Sequence, residues 1–166
     1  MHYWSFYAKI PYRKAGKDMA KAKKKKAIRK KPNPIILSIN ICDIIIRDEA
    51  TKKVSLIGIF NTIHVLSFPA VHPLLHLYIA LTNGHGKYNG EIKLMDKKDK
   101  VVVCGQGPLD FKGPLQIVEL NFAWQQLKFE HEGEYSIEVI CDGQLVGRRN
   151  FRVIGPKIQP TLGTEM

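Results

Sequence analysis

The chain has 166 residues, of which 45% are hydrophobic and 25% charged, an ordinary composition for a single globular domain. Its formal net charge is +11 at pH 7, from 26 Lys/Arg against 15 Asp/Glu. No apolar run reaches the roughly 18 residues that a transmembrane helix needs, and the N-terminus lacks the apolar core of a secretory signal. The sequence therefore predicts no transmembrane segment, and the cysteine pattern described below predicts a cytoplasmic protein.

The net charge is confined to the first 31 residues, which hold twelve Lys/Arg and one acid, Asp18. Residues 32–166 carry 14 basic and 14 acidic side chains and are neutral. We predict a disordered Lys-rich arm over residues 1–34, a folded body over 35–155 and a flexible tail over 156–166. Met19 opens a run that reads as an ordinary protein start. We therefore hypothesise that residues 1–18 are not translated, although a start at Met1 stays open.

The arm is the strongest functional signal in the sequence. Residues 19–31 carry eight Lys/Arg and no acid, so phosphate polymers would attract them through counterion release, without sequence preference. The alternative is a solvated tail that only aids solubility. If the arm binds nucleic acid or another polyanion, the residues we predict to do so are Lys21, Lys23, Lys24, Lys25, Lys26, Arg29, Lys30 and Lys31.

Beyond the arm the hydrophobic period is two, which is typical of strands. Polar and Gly-rich turns divide the body into eight predicted strands: Ile35–Arg47, Lys53–Leu66, Leu75–Thr82, Tyr88–Asp96, Val101–Gln106, Gln116–Trp124, Gly133–Cys141 and Leu145–Ile154. Regular turn signals without a long amphipathic helix indicate an all-β fold, a two-sheet antiparallel, immunoglobulin-like β-sandwich. Segment 107–117 is the hardest to assign, and a short helical turn there stays open.

Asp43 is the most unexpected polar residue of the first predicted strand. Strand alternation places it on one face with Ile35, Leu37, Ile39, Ile41 and Ile45. A buried carboxylate is costly unless it is hydrogen-bonded or paired. We expect Asp43 to be satisfied inside the sandwich, by backbone N–H groups or by Arg149. An acid–base role is the alternative, but no second carboxylate or nucleophile lies at a spacing that identifies a partner.

The last two predicted strands form a hairpin around Asp142-Gly143. A two-residue loop alone would mix the two faces, whereas pairs whose residue numbers sum to 286 keep them matched. That register needs a three-residue loop or a bulge. It sets Glu138 opposite Arg148 and Glu134 opposite Arg152 on the outer face, and it turns Arg149 inward.

Other polar and small residues are assigned structural roles. His72 and His76 form HxxxH, but on a strand these positions lie about 13 Å apart, too far for one metal ion. Gly84-His85-Gly86 is read as a hairpin turn, since no helix pattern follows it. Mid-strand Gly58 indicates a bulge or a close backbone approach. Cys42, Cys104 and Cys141 show no CxxC spacing and are predicted to be reduced, buried thiols.

Two resemblances extend this interpretation. Gly133-x-Tyr135, opening a late strand, resembles the tyrosine corner of immunoglobulin-like sandwiches, which implies that Tyr135 is a buried structural residue. Over roughly residues 36–154, the motifs NICD, RD, KVSLIGIFN, FPA, GxY and DG resemble those of an uncharacterised bacterial domain family of unknown function. That resemblance implies a compact cytosolic β-sandwich and supplies no activity, ligand or catalytic residue.

These observations predict a non-catalytic interaction or structural module, with an unknown protein partner, whose basic arm binds polyanions weakly and salt-sensitively. We predict no catalytic, metal-binding or cofactor-binding residue. One alternative is an enzymatic or small-ligand sandwich with a pocket near Asp43 and Arg149, extended by His64 or Tyr135. Another is a nucleic-acid-associated protein that acts through the arm.

Overall fold

The computed structural model describes residues 31–156, which form nine strands and no helix. The strands are β1 (Ile35–Arg47), β2 (Val54–Ile59), β3 (Thr62–His64), β4 (Ala70–Thr82), β5 (Gly86–Met95), β6 (Val101–Phe111), β7 (Val118–Phe129), β8 (Gly133–Cys141) and β9 (Gln144–Ile154). They make a four-stranded sheet in the order β2-β1-β4-β7 and a five-stranded sheet in the order β3-β9-β8-β5-β6. The predicted all-β, mostly antiparallel two-sheet architecture is confirmed. Within the described range, no helix is long and apolar enough to cross a membrane.

The core lies between the two sheets and is built by strand alternation. Every second residue of β4 from Leu75 to Leu81 is fully buried, and β7 turns Phe122 and Trp124 to the same side. Across the interface, β8 and β9 contribute aromatic rings that pack on Phe129 of β7. The largest fully buried side chains are Phe111, Phe129, Phe151, Ile41, Leu75, Leu77, Ile79, Leu81, Leu94, Ile137, Val139 and Val153.

The predicted strand Lys53–Leu66 is wrong as a single element. It divides at Phe60-Asn61 into β2, which pairs with β1, and β3, which pairs in parallel with β9 in the other sheet. This switch between sheets makes nine strands instead of eight. The backbone N–H of Arg152 donates to the Asn61 carbonyl at 2.9 Å, which holds the crossing segment against the second sheet.

Two predicted loops are strand in the structure. β4 begins at Ala70 and continues through Pro73, while β6 runs on to Phe111 through Pro108. β6 pairs only with β5 and is an edge strand, where proline costs no shared hydrogen bond. The helical turn considered for segment 107–117 is absent, because residues 107–111 belong to β6 and 112–117 form a turn and coil.

The face assigned to β1 is also corrected. Its pairing with β4 shifts register between Ile36 and Ser38. The shift leaves Ile35 and Leu37 exposed, while Ile39 and Ile41 are buried. A bulge of this kind reverses which side chains face the core, so alternation counted from Ile35 fails beyond it.

The β8–β9 hairpin follows the predicted register. Residue pairs from Gly133–Val153 to Val139–Gly147 sum to 286, and a bulge after Val139 restores a two-residue turn at Asp142-Gly143. Both turn residues have positive φ, 48° and 79°, as a type I′ turn requires. Arg148 pairs with Glu138 as predicted. Glu134 stands opposite Arg152, but its carboxylate accepts a hydrogen bond from Asn150.

The body begins earlier than predicted. Pro34 is buried, and the Pro32 carbonyl accepts a hydrogen bond from the Tyr88 hydroxyl at 2.7 Å. Residues 31–34 therefore belong to the packed body and not to a disordered arm. The predicted C-terminal tail and the hypothesis of a start at Met19 concern residues that lie outside the described range, apart from residue 156.

Candidate interaction surface

The β1–β2 hairpin presents four isoleucines to solvent. Ile44 and Ile46 of β1 are each 48% exposed, and Ile57 and Ile59 of β2 are 47% and 54% exposed. Ile44 stands directly opposite Ile57, so alternation places all four side chains on one face of the hairpin. We call these four side chains the isoleucine face. Contiguous exposed apolar side chains of this kind mark interaction surfaces more often than scattered ones do.

The second strand of the same hairpin, β2, is an unprotected edge of its sheet. The edge strands of the two sheets are β2, β7, β3 and β6. β3 has three residues, β6 contains Pro108, and β7 carries charges such as Glu119 and Lys128. β2 has the sequence VSLIGI, without charge or proline. Natural sheets protect their edges with charges, prolines or short strands, so β2 is the edge best suited to pair with another chain.

A polar network holds the far end of this hairpin to the four-stranded sheet. The Arg47 guanidinium contacts the Glu119 carboxylate at 2.8 Å, and Tyr78 donates its hydroxyl to the same carboxylate at 2.8 Å. These two hydrogen bonds lower the pKa of Glu119, the Arg47 bond most. Arg47 also donates to the Lys52 carbonyl in the β1–β2 turn. The isoleucine face is therefore carried on a hairpin fixed at its tip.

Arg149 connects the two sheets near the base of the hairpin. From β9 its guanidinium donates to the carbonyls of Ile39, at 2.5 Å, and Phe60, at 3.0 Å. It also donates to the side-chain oxygens of Asn40, at 3.2 Å, and Asn61, at 2.6 Å. The predicted inward orientation is confirmed, since Arg149 stands opposite fully buried Ile137. Burial lowers the pKa of the Arg149 guanidinium below its ordinary value.

The predicted role of Asp43 is wrong, because its side chain is exposed. Pairing between β1 and β4 ends at Cys42 and His76, so Asp43 lies just beyond the part of β1 that pairs with β4. Its carboxylate occupies the space beside Gly58, where an added Cβ would lie 2.1 Å from Oδ2. Asp43 makes no ion pair with Arg149 among the described residues. A bulge or a close backbone approach was predicted at Gly58, but the atoms nearest to an added Cβ there belong to the Asp43 side chain.

Tyr135 lies in the core and is 3% exposed. Its hydroxyl donates to the His131 carbonyl, four residues upstream, at 2.9 Å. This is the hydrogen bond of a tyrosine corner, as the resemblance implied. Burial raises the pKa of Tyr135. The ring of Tyr135 stacks with Phe151 and meets Phe129 edge-on, so its observed contacts are structural.

The histidines and cysteines of the described range do not assemble into a site. His76 Nδ1 lies 2.6 Å from the Asp43 carbonyl oxygen, whereas His72 packs edge-on against Phe60. Among residues 31–156, no three His, Cys, Asp or Glu side chains are placed to hold a metal ion. Cys42 and Cys141 are buried and Cys104 is exposed, which corrects the expectation of three buried thiols. Burial raises the pKa of Cys141 to about 11.

The structure does not gather the predicted pocket residues. A cleft of about 320 Å³ lies between the β5–β6 hairpin and β7, and Tyr135 is among its lining residues. A second cleft of about 240 Å³ lies beside Asn61 and Asn150. Neither is lined by Asp43, Arg149 or His64. These two clefts therefore do not correspond to the predicted ligand pocket.

The isoleucine face was missed in the sequence, although a signal for it exists. Residues Ile44, Ile45 and Ile46 are consecutive, so an exposed strand end must turn at least one of them to solvent. Of the predicted polyanion-binding residues, Lys21 to Lys30 lie outside the described range. Lys31 lies within it, and its side chain contacts the body.

Comparison with known families matches residues 37–154 to DUF6941, described as a family of unknown function. No curated protein matches the chain.

Proposed function

We propose that this chain, which belongs to the DUF6941 family, is a non-catalytic interaction module that binds a protein partner through the isoleucine face and the edge of β2. The observation that carries the proposal is the coincidence of the two features on one hairpin. An exposed apolar face supplies affinity, and an unpaired strand edge supplies backbone hydrogen bonds to an added strand. We place the module in the cytoplasm; the absence of a disulfide in residues 31–156 supports a reducing compartment.

The apolar contact alone gives modest affinity. Complete burial of an exposed Ile side chain is worth about 1.5–3 kcal/mol, so covering four half-exposed ones offers roughly 3–6 kcal/mol. Association costs of about 4 kcal/mol or more consume much of that gain. Backbone pairing along β2 is therefore needed for a stable complex, which favours a partner that presents an extended segment.

The test is capture of a partner by the full chain, followed by titration with that purified partner. The double variant Ile44→Thr/Ile57→Thr removes the centre of the isoleucine face while keeping β-branched residues. The matched control Val101→Thr/Leu145→Thr changes two residues of the other sheet that are 44% and 54% exposed. We expect the first variant to lose the partner and the second to retain it. Equal binding by both variants would refute the assignment of the surface.

The arm supplies the second part of the proposal, a weak attachment to nucleic acid or another polyanion. Its support is the concentration of eight Lys/Arg in residues 19–31 beside a neutral body. Engagement of six duplex phosphates would give a log–log salt slope of about −5. The full chain with Lys21, Lys23, Lys24, Lys25 and Lys26 changed to Gln should lose duplex binding. Binding retained at moderate salt would point to a surface on the body.

The alternative of an enzyme or ligand-binding sandwich has weaker support. The Arg149 guanidinium donates hydrogen bonds to four protein oxygens, and Asp43 lines neither cleft. Turnover or ligand binding that disappears on changing Asp43→Asn, with the fold intact, would favour that alternative over the interaction module.

A further inference from the structure

Lys31, the last basic residue of the Lys-rich segment 19–31, contacts three groups of the body. Its Nζ lies 2.5 Å from the carbonyl oxygen of Lys87 and 3.4 Å from Oδ2 of Asp142. It also lies 4.8 Å from the centre of the Tyr88 ring, which is a cation–π distance. A single ammonium group therefore contacts a carbonyl, a carboxylate and an aromatic face at once.

The residues that follow Lys31 are tied to the same end of the sandwich. The Tyr88 hydroxyl donates to the Pro32 carbonyl, and the Asn83 side-chain amide donates to the Asn33 carbonyl at 3.2 Å. Pro34 is buried. Successive residues from 31 to 34 thus each make a contact with the body, and the chain is held before β1 begins.

Asp142 is positioned for this contact by the hairpin turn. Its Oδ1 accepts a hydrogen bond from the Asn89 backbone N–H at 2.8 Å, which leaves Oδ2 directed to Lys31. The Asn89 bond is also the largest cause that lowers the pKa of Asp142, so the carboxylate is ionised at neutral pH. The turn that sets the β8–β9 register therefore also provides a fixed negative charge.

We propose that Lys31 is an anchoring residue that fixes where the arm leaves the body, and that polyanion contacts begin at Lys30. This inference rests on the proposed attachment of the arm to polyanions. A phosphate that approached Lys31 would also approach the Asp142 carboxylate, and the like charges would repel. Residues 19–30 contain no acid, so Lys30 and the lysines before it carry no such opposing charge within the segment.

The test measures duplex DNA binding by the full chain as a function of KCl, with a labelled 20-base-pair duplex as the probe. Lys30→Gln should reduce the steepness of the log–log salt slope by about 0.9, the value for one phosphate contact. The matched change Lys31→Gln should leave the slope unaltered. Asp142→Asn keeps an acceptor for Asn89 and suits the turn, but it removes the negative charge beside Lys31 and should steepen the slope by up to about 0.9. A loss with Lys31→Gln equal to that with Lys30→Gln would overturn the proposal.

A second readout separates this inference from the polyanion proposal. In NMR spectra of the full chain with labelled lysines, the Lys31 side-chain signals should be displaced by the Tyr88 ring, and Asp142→Asn should reduce the displacement. If the wild-type chain binds no duplex but the displaced signal is present, the arm's proposed function fails and the anchor stands. Lys31 signals that coincide with those of solvated lysines would refute the anchor.

Discussion

Arg149 connects the two sheets of the sandwich through a single side chain. Its guanidinium reaches from β9 to the Ile39 and Phe60 carbonyls and to two asparagine side chains. The planar fork of an arginine can donate in several directions at once, which a lysine ammonium cannot reproduce at the same distances. Strand arithmetic predicted that Arg149 faces inward. It could not reveal the partners, because they lie about 90 to 110 residues away in sequence.

We expect Arg149→Lys to lower the free energy of unfolding by about 2–3 kcal/mol, because several charge-assisted hydrogen bonds are lost at a partly buried position. The neighbouring change Arg148→Lys is the control. Arg148 pairs with Glu138 at the surface, where ion pairs contribute about 1 kcal/mol or less. Urea unfolding measures both variants. Equal losses would show that the Arg149 contacts are not worth more than one surface pair.

His72 gives the fold a dependence on pH. Its Nε2 is buried and has no hydrogen-bond partner among the described residues, and burial lowers its pKa below the ordinary 6.5. The unfolded chain therefore binds a proton before the folded chain does. The folded state is therefore most stable above the pKa that His72 has in the unfolded chain. This stability is lost as the pH falls from that pKa towards the lower pKa that His72 has in the folded chain.

We expect the urea midpoint of the wild-type chain to fall between about pH 7.5 and pH 5.5, and the fall to be smaller in His72→Phe. Phenylalanine keeps an aromatic contact with Phe60 and removes the titrating group. Wild-type and variant curves that decline in parallel would assign the pH dependence to another residue.

At the scale of elements, local alternation predicted the strands that stay in one sheet. The predicted strands Ile35–Arg47 and Gly133–Cys141 agree with the structure at both ends. The period of two does not change where the chain crosses between sheets at Phe60-Asn61. That corner depends on contacts from Arg149 and Arg152, far along the chain, so no local pattern marks it. The bulge at the start of β1 was missed for the same reason.

Gly58 offers a test of the β1–β2 pairing. It has φ of +66°, and an added Cβ would overlap the Asp43 carboxylate. Gly143 has φ of +79° and nothing within 4 Å of an added Cβ. Because of backbone strain, each Gly→Ala change should lower the free energy of unfolding by about 1–2 kcal/mol. Gly58→Ala should cost about 1 kcal/mol more, from overpacking against Asp43.

The added change Asp43→Ser should remove this excess from Gly58→Ala and leave the cost of Gly143→Ala unaltered. Thermal or urea unfolding of the four variants measures both effects. If Gly58→Ala and Gly143→Ala are equally destabilised, the carboxylate does not lie over Gly58 as the structure places it.

At the scale of the whole molecule, charge segregation predicted an arm and a neutral body, but it placed their boundary too late. The contacts of Lys31 with Lys87 and Asp142 join residues 56 and 111 positions apart. Composition alone could not identify them, because Lys31 and Asp142 read as ordinary exposed charges and Lys87 contributes its backbone carbonyl. The isoleucine face was hidden in the same way, since apolar strand residues are read as core until the covering sheet is known.

The arm precedes β1, and two of the four side chains of the isoleucine face lie in the C-terminal half of that strand. We therefore expect a DNA duplex bound by the arm and a protein partner bound at β2 to occupy one molecule together, each with unchanged affinity. Titration of the partner into the preformed duplex complex measures the coupling between them. A weaker second binding step would show that the two surfaces overlap or that one changes the shape of the other.

The fixed exit of the chain at residues 31–34 has a consequence for assemblies. Several copies attached along one polymer would each be held through the same short segment, so their isoleucine faces would be brought near one another. A partner with two extended segments could then engage neighbouring copies, and its dissociation would slow through the raised local concentration of sites. The contact between Lys31 and Asp142 would in this way influence avidity at the isoleucine face.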